Sequence, residues 1–129
     1  MQNILKCAVL AAALLSSGCA TLTGVPLGAG DWVLAKWQPE DPNFYPGVIT
    51  SRSGDQLAIQ YDDGDTGTQH ITAVRRFDWR AGTHLQCRWS DGNFYPATIT
   101  EMGANRVDMR VRYDDGDRQD TTSSACRDH

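Results

Sequence analysis

No apolar stretch in this chain is long enough to cross a bilayer. The run from Cys7 to Leu15 falls well short of the roughly 20 residues that a membrane-spanning helix needs, so no permanent transmembrane helix is expected. Basic residues are scarce: twelve Lys and Arg stand against sixteen Asp and Glu, a formal net charge of −4. Nucleic-acid binding draws most of its affinity from Lys and Arg meeting phosphates, so nucleic acid is not an expected partner. Catalytic patterns are missing as well. There is no Gly-flanked nucleophilic serine, no Cys–His arrangement and no isolated carboxylate pair in an apolar setting, and an enzyme is not expected. His70, His84 and His129 lack metal-ligand spacing, and Asp62-Asp63-Gly64-Asp65 lacks the alternating ligands and distal glutamate of an EF-hand loop. Neither a metal nor a cofactor is expected.

What is present begins with an export signal. Lys6 precedes the apolar run and Ser16-Ser17-Gly18-Cys19 follows it, which reads as a signal peptide over residues 1–18. Leu15-Ser16-Ser17-Gly18-Cys19 resembles a bacterial lipobox. That resemblance implies cleavage before Cys19 and attachment of lipid, palmitate among it, to the new N-terminal cysteine. Ala20 in place of an aspartate implies delivery to the outer membrane, with the folded part facing the periplasm. More than one acyl chain, at about 0.8 kcal/mol per buried methylene, would hold the chain at a membrane surface. Residues 19–29, rich in Gly, Thr, Leu and Pro, read as a lipidated tether. Loss of Lys6 makes the mature chain one charge more negative. With Cys7 removed and Cys19 acylated, Cys87 and Cys126 are left as candidates for one disulfide in an oxidising compartment.

The remainder is a duplication. Tyr61-Asp62-Asp63-Gly64-Asp65 returns letter for letter as Tyr113-Asp114-Asp115-Gly116-Asp117, fifty-two residues later, and Asn43-Phe44-Tyr45-Pro46 returns as Asn93-Phe94-Tyr95-Pro96. The loop after Trp89 is two residues shorter than the one after Trp37, and the turn from Met102 to Arg106 is correspondingly longer. Alternation at Val33, Ala35 and Trp37 predicts a half-buried first strand, followed by strands near Phe44–Thr50, Leu57–Tyr61 and Thr68–Val74, with Ile71 as the inward residue of the last. Asp-Gly pairs predict chain reversal at Asp63-Gly64 and Asp115-Gly116. Short strands at roughly ten-residue spacing, twice over, predict an all-β chain of two tandem small barrels, at 30–79 and 80–129. Barrels of about 50 residues are marginal alone. The second has few apolar residues in Thr121–Ala125, and the repeat places Cys87 on Ala35 and Cys126 on Val74. If Ala35 and Val74 touch in the first unit, a Cys87–Cys126 bond takes over that contact in the second. Arg75-Arg76 with Arg80 reads either as a solvated face or as a contact between units.

Ala35-Lys36-Trp37, Phe44 to Ile49 and Tyr61-Asp62-Asp63-Gly64 together resemble the Tudor family of SH3-like barrels, and the likeness covers both units from residue 30 to about 127. Members that read methylated lysine hold it in an aromatic cage. The resemblance implies a cage of Trp37, Tyr45, Tyr61 and Asp63 in the first unit, and of Trp89, Tyr95, Tyr113 and Asp115 in the second. A soft ammonium gains about 0.5–2 kcal/mol per well-placed ring. Asp65 and Asp117 stand where some readers place a further ring, which implies a cage open on one side. The reading that follows is a lipid-anchored binding or adaptor module that takes a cationic group, a quaternary ammonium or a cationic peptide, with a protein or peptide as partner. The alternative is a structural envelope protein making protein–protein contacts, its tyrosines serving only packing.

Overall fold

The computed structural model describes residues 26–129, so the signal segment, Cys19 and most of the tether lie outside the described residues. The first unit has strands β1 (Trp32–Ala35), β2 (Tyr45–Ser53), β3 (Gln56–Tyr61), β4 (Thr66–His70) and β5 (Val74–Arg76). The second repeats them as β6 (His84–Arg88), β7 (Phe94–Met102), β8 (Asp108–Tyr113), β9 (Arg118–Thr122) and β10 (Cys126–Arg127). Each unit forms one antiparallel five-stranded sheet, ordered β4-β3-β2-β1-β5 and β10-β6-β7-β8-β9. The long second strand of each unit carries a register shift, between Ile49 and Ser51 and between Ile99 and Glu101. A bulge there bends and twists the strand. Inward side chains alternate along it and its neighbours: Ile49, Leu57, Ile59 and Tyr61 in the first core, Ile99, Met109, Val111 and Tyr113 in the second.

The last strand departs from expectation. A single strand over Thr68–Val74 is replaced by β4, a 3-10 turn at Ile71–Ala73 and β5. Ile71 sits in that turn, only half-buried against the core, and the inward residue of β4 is Gln69. The turn belongs to the repeat: it recurs at Ser123–Ala125 between β9 and β10, where Thr122 gives no side-chain cap, whereas at Ile71–Ala73 His70 Nδ1 also accepts from the Thr72 amide at 3.2 Å.

Ala35 pairs with Val74 across β1 and β5, and Cys87 pairs with Cys126 at the matching register. A disulfide joins the two cysteines, whose Cα atoms lie 4.1 Å apart. Both are buried, and the bond occupies the space that Ala35 and Val74 fill by packing in the first unit.

The units are not separate beads. Leu34 turns its fully buried side chain away from the first core and into the second. Phe44 and Asp128 exchange backbone hydrogen bonds of 2.6 and 3.1 Å, so the end of the chain pairs with the entry to β2. The Asp128 carboxylate is buried and takes both oxygens to Arg75 Nη2, at 2.6 and 2.7 Å, while Trp79 Nε1 donates to it at 2.8 Å. Burial works against the Arg75 charge, but Asp128 and then Asp78 outweigh it and raise the guanidinium pKa. Of the two readings of the Arg75 cluster, the contact between units is the one observed for Arg75. Arg106 adds a further contact, lying over the Trp32 and Phe77 rings at 4.7 and 5.9 Å. Its φ of +59° matches the +60° of Gly54, its counterpart in the repeat. A non-glycine residue there costs about 1 kcal/mol, an amount that stacking on two rings offsets.

Candidate functional site

Each duplicated turn has one left-handed residue, Gly64 at φ +98° and Gly116 at φ +100°. In the first, Gly64 N–H donates to the Tyr61 carbonyl at 2.9 Å and Tyr61 N–H to the Asp65 carbonyl at 2.8 Å. Asp63 Oδ1 accepts the Asp65 amide at 3.0 Å, and Asp115 does the same for Asp117. The carboxylates of the turn are therefore held by the backbone next to the aromatic that ends β3 or β8.

Those aromatics form floors. Tyr61 and Tyr113 are each only 3% exposed. Trp37 stands edge-on to Tyr61 with ring centroids 5.2 Å apart, and Trp89 meets Tyr113 at the same separation. Tyr61 donates its hydroxyl to the Lys36 carbonyl at 2.5 Å, and Gln69 Nε2 donates to the Trp37 carbonyl at 2.9 Å. Burial pushes the Tyr61 pKa up to about 12; the bond with Gln69 opposes this and Asp63 adds to it, so the phenol stays neutral. Tyr113 is likewise raised by burial and then by Asp115, and it donates to Gln119 Oε1 at 2.6 Å. Gln119 replaces Gly67 in the repeat. An amide thus reaches the tyrosine from a different position in each unit.

All four residues named for each unit converge. Trp37, Tyr45, Tyr61 and Asp63, with Asp65, line one concavity of about 190 Å³. Trp89, Tyr95, Tyr113 and Asp115 line another of about 440 Å³, joined by Asp91, Pro96, Asp114 and Asp117. Trp37 and Tyr95 are 38% and 40% exposed, so the rims are open to solvent.

Residues 29–77 match the family model of the DNA repair protein Crb2 Tudor domain. The first unit is similar to a Tudor domain. Among solved structures, tandem Agenet domains 3-4 of ADCP1 resemble the chain at 12% identity, with 80% of each chain covered and a TM-score of 0.36. No curated protein matches the chain.

In the Tudor-like unit and its repeat, sequence reasoning found the rings but missed part of the acidic wall. Asp65 and Asp117, read as gaps where a ring could stand, supply carboxylates to their pockets. Asp91 was missed too. Its Oδ1 accepts the Asn93 amide at 2.9 Å and its Oδ2 accepts the Tyr95 hydroxyl at 2.5 Å. That hydroxyl lowers the Asp91 pKa, and Asp91 raises that of Tyr95. The Asp91-Gly92-Asn93 spacing of an Asx turn was the available signal. Among the described residues no three His, Cys, Asp or Glu side chains are grouped to hold a metal.

Asp62, the first aspartate of the Tudor-like unit's turn, is half-buried and accepts a hydrogen bond from the Ser123 hydroxyl of the other unit. Burial raises its pKa, the Ser123 bond works the other way, and Asp63 raises it further. A folded-state pKa above the unfolded value means that the folded chain binds the extra proton between the two. This contribution to stability is therefore present at low pH and is lost as pH rises through the folded pKa. Asp62→Asn, which keeps an acceptor for Ser123, is expected to melt higher than wild type at neutral pH, with the difference shrinking toward pH 4. Thermal melts across that range test it; a gap that does not narrow on acidification sinks the assignment.

Proposed function

We propose that this chain is a lipid-anchored binding module whose aromatic pockets take cationic groups. The observation that carries the reading is the convergence, in both units, of a tryptophan, two tyrosines and a turn aspartate on one solvent-open concavity. Ring faces attract poorly hydrated ammonium groups, at about 0.5–2 kcal/mol per ring, and a nearby carboxylate adds charge attraction. A methylated lysine, a quaternary ammonium head group and a cationic peptide share that chemistry, and the Tudor-like match of residues 29–77 supports it. Anchoring rests on the lipobox-like segment ending at Cys19 and would place the pockets at the periplasmic face of the outer membrane. A Cys19→Ala form that still partitions with membranes would remove this part of the reading.

Tryptophan fluorescence titrated with trimethyl-lysine, choline and a cationic peptide tests the pockets. Saturable quenching is expected, reduced in Trp37→Ala and in Trp89→Ala by about tenfold in affinity at the altered pocket, the loss of one strong ring contact. A flat response to all three probes in the folded wild type favours the structural alternative.

A further inference from the structure

The two pockets contain the same four residues at matching repeat positions, yet the packing of the units has made them electrically different. In the first, two carboxylates remain, Asp63 and Asp65. Asp62 does not line it, being half-buried against Ser123. Tyr45 meets a fixed positive charge: Arg127 Nη1, from the last strand of the other unit, donates to its hydroxyl at 3.4 Å. Arg127 cannot swing freely away, since its guanidinium lies 3.9 Å over the Phe94 ring and its Nε donates to Gln86 at 3.1 Å.

The second pocket has none of these contacts. Asp114, the counterpart of Asp62, lines it together with Asp115 and Asp117. Asp91 lines it as well, fixed by the Tyr95 hydroxyl and the Asn93 amide, whereas its counterpart Asp41 accepts the Asn43 amide in the same way but does not line the first pocket. Four carboxylates surround three rings in a space more than twice that of the first pocket; no basic side chain among the described residues lines either pocket, and only in the first does an arginine bond to a lining tyrosine. A single ammonium group neutralises one charge and uses a fraction of that volume.

We infer that the pocket of Trp89, Tyr95 and Tyr113 is specific for a ligand carrying two or more positive charges, while the pocket of Trp37, Tyr45 and Tyr61 takes a singly charged group. This deepens the cation reading above and rests on it. Two additional solvent-exposed carboxylates facing a second ammonium are together worth about tenfold in affinity. The preference weakens as salt screens it.

The test uses tetramethylammonium and hexamethonium, which carries the trimethylammonium group twice on one chain. Both are titrated into the full chain, with the indole N–H resonances of Trp37 and Trp89 as separate reporters. The ratio of hexamethonium to tetramethylammonium affinity is expected to be about tenfold higher at Trp89 than at Trp37; comparing ratios cancels the benefit of having two heads. In Asp91→Asn/Asp114→Asn, where asparagine keeps the acceptor for the Asn93 amide, the ratio at Trp89 is expected to fall to that at Trp37. Equal ratios in wild type, or a ratio unchanged in the double variant, overturn the inference and leave the cation reading standing. If neither probe shifts either indole, both fall together.

Discussion

Reduction of the Cys87–Cys126 bond is expected to destabilise the second unit by about 4 kcal/mol, the chain-entropy value for closing a loop of this size. The two cysteines are 39 residues apart and join β6 to a final strand of only two residues. So short a strand has few backbone hydrogen bonds of its own to hold it. Arg127 and Asp128 follow directly, and they carry the contacts to Tyr45, Arg75, Trp79 and Phe44. Loss of the bond should therefore loosen the interface as well as the second barrel. Urea denaturation with and without reductant measures it, and an unchanged midpoint would show that the bond adds nothing. Cys87→Ala/Cys126→Val installs the residue pair of the first unit at the same register, and should land between the two because it restores packing without the cross-link.

The second large effect is expected at Asp128. Removing its carboxylate leaves Arg75 without its closest counter-charge and the buried Trp79 indole N–H without an acceptor. Asp128→Ala is expected to cost about 3 kcal/mol, the sum of a buried Trp79 N–H left unpaired and the lost charge-assisted hydrogen bonds to the partly exposed Arg75. Asp128→Asn retains an acceptor for Trp79 and should cost less. Calorimetry checks both the size and the form of the effect. With the latch intact the units should melt together, whereas Asp128→Ala should separate two transitions. A variant that still melts in one step at the wild-type temperature would mean that the units are coupled chiefly through Leu34 and the rings around Trp32 and Phe77.

Both results bear on function, because the interface accounts for part of the difference between the pockets. Arg127 reaches Tyr45, and Ser123 holds Asp62, only while the second unit sits against the first. Disrupting Asp128 therefore predicts a change at the first pocket, on the other unit from the altered residue.

Much of this architecture could be read from local pattern. Alternation located the strands, Asp-Gly located the turns, and the repeat offset put Cys87 and Cys126 opposite each other because register is inherited by a duplicated strand pair. The rings gathered as expected for a related reason: Tyr45 opens β2, Tyr61 closes β3 and Trp37 lies two residues past the end of β1, and strand ends that share one rim of a small barrel are brought together by the strand pairing itself. Reading failed at Ile71, where the strand is broken by a 3-10 turn that both units make, with a side-chain cap in only the first, and at Asp91, whose part in the pocket depends on a hydrogen bond to a tyrosine four residues away.

By itself, the order of residues determined two copies of one barrel, the placing of aromatic rings beside an acidic turn in each, and the cross-link that completes the second. It could not determine that copies with the same letters would differ. That was decided only when the units packed, because Leu34, Arg75, Arg127 and Asp128 act across distances with no periodicity along the chain. Their packing lets Ser123 draw Asp62 out of one pocket and lets Arg127 bond to the Tyr45 hydroxyl there, while the other pocket keeps Asp114.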